Sequence, residues 1–163
     1  MAGRADKLDE EGLYAKAVGA LARRERSTAE VRKLLRPRAA SSDGVEAALA
    51  RLRDHGYLDD ARMAAGRAWH QHEVEHHGRV RAMRDLRARG VSEGVAKSAL
   101  DAVYGARPEA AREDRLLRAY VNKKKVKAPT DLKGAASLYR KLVMAGFSGE
   151  ASRRFLKKWD WEE

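Results

Sequence analysis

The residues of this 163-residue chain best suited to chemistry are cations, and the chemistry they suit is the capture of anions. Between Gly78 and Arg89, five arginines (Arg79, Arg81, Arg84, Arg87 and Arg89) stand against one acid, Asp85. Lys123, Lys124, Lys125 and Lys127 follow in a linker, Arg140 and Lys141 lie further on, and Arg153, Arg154, Lys157 and Lys158 make the last helix basic. Across the chain, 35 Lys and Arg outweigh 24 Asp and Glu, a formal charge of +11. Any single Lys or Arg usually just solvates a helix face. Clustering on top of that total charge favours binding to DNA, RNA, an anionic membrane or an acidic protein. Phosphates would reward these residues by counterion release, almost blind to base sequence; protein carboxylates would reward the same side chains.

Other chemistries have weaker support. His72 and His76 stand four residues apart, a spacing that zinc ligands use on a helix, with His70 and His77 beside them. Neither is followed by the Glu of a zinc hydrolase motif, so a solvated helix end is the better reading. Asp59 and Asp60 could pass for an acid/base pair, but acids at the start of a helix are favoured by its dipole. With no cysteine, disulfides, thiolate zinc sites and cysteine nucleophiles are all excluded. No phosphate-cradling glycine loop and no Ser/His/Asp grouping occurs, so no enzyme, cofactor or metal is expected. Tyr120 and Tyr139 fit core stripes better than stacking platforms for bases. Trp69, Trp159 and Trp161 read as packing residues.

Elements that could position these cations are helices throughout. The apolar share rests on Ala and Leu, Ile is absent, and only three prolines interrupt. The patterns predict helices over about 11–24, 28–36, 42–55, 59–76, 78–89, 92–104, 108–123, 130–145 and 148–159. Ser27 and Glu30 form a capping box, Pro37 stops the second helix, and Gly56, Gly90 and Gly146 end others. Within 78–89, Val80, Met83 and Leu86 are expected to face a core. A repeat is visible: an offset of 56 residues superposes Gly90 on Gly146, Ser92 on Ser148 and Leu100 on Leu156. An offset of 52 superposes Val31-Arg32-Lys33-Leu34 on Met83-Arg84-Asp85-Leu86, with one residue of slack before Ser41 meets Ser92.

The expected fold is therefore all-α, an elongated array of three tandem three-helix modules: 11–57, 58–106 and 107–163, after an unstructured tail over 1–10. A helix-turn-helix DNA reader is the structural rival, but the helix after Ser92 carries Glu93, Asp101 and one Lys and opens without base-reading side chains. No run nears the ~18 apolar residues of a membrane span, and the N-terminus lacks an apolar signal core. A monomeric cytoplasmic protein without membrane contact is expected.

Arg26-Ser27 with Glu30-Val31 and Leu34, then Gly56-Tyr57-Leu58-Asp59-Asp60, Gly78-Arg79, Leu86 with Gly90-Val91, Lys141-Leu142 and Gly146-Phe147-Ser148 occur in the order of a known family. Over about residues 13–158 the chain resembles RecX, the modulator of the RecA recombinase filament. Where that family usually has Phe-Ala after the Asp-Asp joint, Met63-Ala64 stands here, a packing swap of similar volume. The resemblance implies a modular helical protein lying in the groove of a RecA–single-stranded DNA filament, with double-stranded DNA left open as a further partner. It also implies inhibition of recombinase activity, ATP hydrolysis and filament extension. The fifteen cations named above are the expected contacts with RecA or DNA. Two readings stand beside it: a general nucleic-acid binder with no recombinase partner, and a helical interaction scaffold that needs no DNA.

Overall fold

A computed structural model describes residues 7–158. Among them nine α-helices follow one another: α1 (Glu10–Leu21), α2 (Thr28–Leu35), α3 (Ser42–Asp54), α4 (Asp60–Trp69), α5 (Arg79–Ala88), α6 (Glu93–Tyr104), α7 (Ala110–Lys123), α8 (Leu132–Met144) and α9 (Gly149–Lys157). Local side chains set most of their starts. Asp9, Ser41, Asp59, Asp131 and Ser148 each accept a backbone N–H of the first turn, and Ser27 and Glu30 complete the capping box. Ser92 sits at the start of α6 without making the cap hydrogen bond expected of it.

Three expectations need correction here. The chain is ordered before residue 10: Leu8 exchanges backbone hydrogen bonds with Arg38 (2.7 Å) and Ala40 (3.0 Å), and Lys7 donates to the Pro37 carbonyl. The long helix expected over 59–76 stops at Trp69 and continues as one π-helical turn, His70–Val74. Finally, Val80 is 57% exposed and Met83 half-buried, so it is Ala82 and Leu86 that α5 buries. Trp69, read as a packing residue, is 56% exposed; Trp159 and Trp161 lie outside the described residues.

Helices pack in threes: α1 and α2 on α3, α4 and α5 on α6, and α7 and α8 on α9. A single spacing relates the first two sets. Leu13 and Ala64, Ala17 and Ala68, Val31 and Ala82, Leu35 and Leu86, and Leu49 and Leu100 are all buried, each pair 51 residues apart. The offset of 52 expected for α2 and α5 was one residue too long, because Leu35 rather than Leu34 is the buried partner of Val31. Between the second and third sets, Leu86 and Leu142, Val91 and Phe147, and Leu100 and Leu156 keep the expected 56. Met63, standing where a Phe was expected, is buried in full, as a volume-conserving swap requires.

The buried side chains nevertheless form two clusters. One joins Leu13, Ala17, Val31, Leu35, Leu49, Leu52 and neighbours in the first set. The other runs from Met63 to Leu156 through the second and third sets. Its continuity depends on a close backbone approach. The Gly78 N–H donates to the Ala145 carbonyl (2.9 Å) and the Val80 N–H to that of Gly146 (3.3 Å). A Cβ on Gly78 would lie 2.1 Å from the Gly146 oxygen, so no larger residue fits. Gly146 itself has φ +96°, which side chains other than hydrogen resist.

Candidate functional site

The expected cations divide into two groups once their neighbours are known. Six are engaged by acids. Arg79 pairs with Asp101 and donates to the Gly105 carbonyl (3.2 Å). Arg87 pairs with Glu93 at 2.7 Å on the open surface. Arg89 lies 3.6 Å from both Glu30 and Asp85, tying the first set of helices to the second. Lys123 donates to the Val74 carbonyl (2.6 Å) and to Glu75 (3.1 Å), closing the end of the π-helical turn. Arg154 bridges Asp114 (3.0 Å) and Glu150 (2.8 Å), and its hydrogen bond with Asp114 raises its already high pKa. Lys158 reaches Asp114 at 4.0 Å.

The other nine are Arg81, Arg84, Lys124, Lys125, Lys127, Arg140, Lys141, Arg153 and Lys157. All are exposed, and among the described residues none is joined to an acid. Four of them converge: Lys124, Lys125, Lys127 and Lys141 line one groove between the end of α7 and the flank of α8, floored by Val126, Pro129, Gly134 and Leu138. Lys125 helps form it by turning the chain in the left-handed region (φ +49°), where the Val126 N–H bonds back to the Val121 carbonyl at 3.1 Å. A second open groove runs along α5, lined by Arg79, Val80, Met83, Arg84 and Arg87.

A third basic surface was missed by sequence reasoning. Arg32, Lys33, Arg36 and Pro37 line a groove on α2, together with Ala29. Arg32 is held by Glu46 (2.7 Å), while Lys33 and Arg36 are exposed. The 51-residue spacing puts Lys33 on Arg84 and Arg36 on Arg87, so the repeat, read in its correct register, carried the signal.

The histidines are not gathered into a site. His72 bonds Glu73 (2.7 Å), His76 bonds the His72 carbonyl (3.0 Å), and His70 lies 3.8 Å from Glu75. His77 is buried, not part of a solvated end, and bonds the Gln71 side-chain oxygen at 2.6 Å. Burial, with nearby Arg81 adding to it, pushes the His77 pKa down to about 4. Its carbonyl accepts the Tyr104 hydroxyl (3.0 Å), and burial raises the Tyr104 pKa. Among the described residues, no three His, Asp or Glu side chains are grouped to hold a metal ion.

Asp59 and Asp60 are structural. Asp59 caps α4, and Asp60 accepts the Thr28 N–H (2.7 Å) and hydroxyl (3.1 Å) across the first seam. On α6, Glu93 pairs with Arg87, and Lys97 with Asp101 (2.6 Å). The helix that a helix-turn-helix reader would lay in a groove thus has its cation neutralised. Tyr120 and Tyr139 are half-buried against the larger core, Tyr120 edge-on to Phe147 with ring centroids 5.6 Å apart. Among the described residues, no helix is long and apolar enough to cross a membrane.

What this surface offers is monovalent, unneutralised positive charge on one side of a helical scaffold. It can bind phosphates or carboxylates; the described residues assemble no nucleophile or acid/base pair over it.

No family model matches the chain. It is 32% identical over 148 residues to the regulatory protein RecX of Ralstonia nicotianae, covering 89% of this chain and 86% of that protein. It is 33% identical over 150 residues to the regulatory protein RecX of Leptothrix cholodnii, covering 92% and 90%. Two solved structures are similar in fold, each at 18% identity. The crystal structure of RecX from Lactobacillus salivarius has a TM-score of 0.68 over 92% of this chain and 96% of that one. Another RecX crystal structure reaches 0.74 over 91% of this chain and 73% of that one.

Proposed function

The chain belongs to the RecX family of regulatory proteins, and on that footing we propose that it lies along a RecA–single-stranded DNA filament and restrains its ATP hydrolysis and extension. We read the three sets of helices as tandem modules (11–57, 58–106 and 107–163) that follow the filament as an elongated monomer. The observation that carries this reading is the lysine groove of Lys124, Lys125, Lys127 and Lys141: four cations converge there, none joined to a described acid. Arg81, Arg84, Arg140, Arg153 and Lys157 extend the charge along the chain. The engaged cations (Arg79, Arg87, Arg89, Lys123, Arg154 and Lys158) act first on the fold and reach the filament only through the surface they shape. Such a role places the protein in the cytoplasm with its filament, without catalysis of its own.

The test is ATP hydrolysis by RecA of the same organism on single-stranded DNA, titrated with this protein. Inhibition well below one copy per RecA is expected, because a bound modulator that blocks extension acts on many protomers. Inhibition only at DNA-coating amounts, fading with modest salt, would reduce the protein to a general cationic binder of nucleic acid.

A further inference from the structure

The seam between α5 and α8 carries something the fold does not use. Val80 and Met144 are 57% and 61% exposed, although each belongs to a helix that buries other apolar side chains well. They are neighbours through the backbone: the Gly78 N–H bonds the carbonyl of Ala145, next to Met144, and the Val80 N–H bonds that of Gly146. The close fit of Gly78 against Gly146 makes this ledge rigid. It is a preformed surface, and preformed surfaces lose little entropy on binding.

Cations flank the two apolar side chains in a regular way. Arg84 stands one turn beyond Val80, and Arg87 nearly two. Arg140 stands one turn before Met144, on the same stripe of α8. The 56-residue spacing superposes Arg84 on Arg140. Neither arginine is joined to a described acid. The nearest acid on α5, Asp85, is already held by Arg67 (2.9 Å) and Arg89 (3.6 Å).

We propose that this ledge docks an acidic segment of a protein, seating an apolar side chain over Val80 and Met144 and carboxylates on Arg84 and Arg140. For the owner of that segment the inference rests on the filament reading: it belongs to the protein coat of the filament, while the lysine groove takes phosphates. Charge complementarity selects an acidic partner. The apolar pair selects protein over nucleic acid, since aliphatic side chains offer a strand of phosphates nothing and lack the aromatic faces on which bases stack. Arginine forks suit carboxylates bidentately, whereas the lysine groove suits point contacts with a flexible backbone. A contact of this kind separates the two halves of recognition, protein at the α5–α8 seam and DNA at the α7–α8 groove.

Two variants of the full-length chain test the division. Val80→Ser with Met144→Ser removes the apolar pair from exposed positions; Lys124→Gln, Lys125→Gln and Lys127→Gln together discharge the groove. Each is measured by fluorescence anisotropy against a bare labelled single strand, then against the same strand coated with RecA and a non-hydrolysable ATP analogue. The serine pair should bind the bare strand within about twofold of the unaltered protein, and the coated strand about tenfold more weakly. The glutamine triple should lose about tenfold on the bare strand. Equal losses by the serine pair on both ligands would mean that nucleic acid occupies the ledge, and no loss on either that nothing does; each overturns the assignment. If the unaltered protein prefers the coated strand no more than the bare one, the filament reading fails and takes the ledge with it.

Discussion

Where the first set of helices meets the second, the contacts are polar or small. The Ser27 hydroxyl donates to the Arg89 carbonyl, Asp60 holds Thr28, Arg89 approaches Glu30, and Gly90 faces the methyl of Ala29. Where the second set meets the third, the core runs straight through, from Leu86 and Tyr104 to Leu117, Tyr120 and Phe147. One repeated pattern therefore makes two kinds of joint. An apolar joint makes its neighbours one cooperative unit, since breaking it exposes area worth roughly 25 cal/mol per Å². A polar joint exchanges its hydrogen bonds for water at a net cost of about 1 kcal/mol each, which leaves 7–58 able to unfold or reorient by itself.

The comparison is broken most directly by cutting each core. Phe147→Ala should destabilise the larger unit by about 4 kcal/mol and Leu49→Ala the smaller by about 3 kcal/mol. Calorimetry of the intact chain should show two transitions, each variant lowering one; if both fall together, the polar joint is cooperative after all. Gly78→Ala comes next, at about 3 kcal/mol, because its new methyl meets the Gly146 backbone and only a shift of the joint relieves it. Gly90→Ala should cost about 2 kcal/mol, the added methyl meeting the side chain of Ala29 from a left-handed residue. Denaturant titration ranks the two, and the reverse order would mean that the polar joint is the stiffer.

Acid should weaken only the larger unit. His77 is held near pKa 4 in the fold against 6.5 when free, so the unfolded chain takes up its proton first. Its contribution is fully present above pH 6.5 and is lost as pH falls toward 4, about 2 kcal/mol having gone by pH 5. Melting at pH 8 and pH 5 should move the transition of residues 59–158, and His77→Gln should flatten that dependence. The smallest effect is at the polar joint. Asp60→Ala should cost about 1 kcal/mol and speed hydrogen exchange at the Thr28 amide, with core amides unaffected.

Much of the scaffold was legible because its signals are local. A capping box at Ser27, a chain turn at Gly146 and a buried Met63 depend on residues a few positions away. The register of α2 was not, since Leu34 and Leu35 are equally apolar and only packing against α3 chooses between them. The π-helical turn at 70–74 was hidden for a similar reason. It is held by the buried His77–Gln71 bond and by Lys123 arriving from α7, and neither leaves a periodic trace. Of the candidate site, the sequence located the cations but could not tell which were spoken for.

The sequence by itself determined a helical protein with repeated caps, apolar stripes and a surplus of positive charge, because helix ends, periodicity and net charge are sums over near neighbours. Tertiary structure decided the rest. Arg79 is neutralised by Asp101 and Lys123 by Glu75, while Lys124 and Arg84 remain unclaimed by any described acid. It also decided that Val80 and Met144 stay bare beside one another. Whether a charge is free, or an apolar side chain covered, depends on groups that folding brings from dozens of residues away.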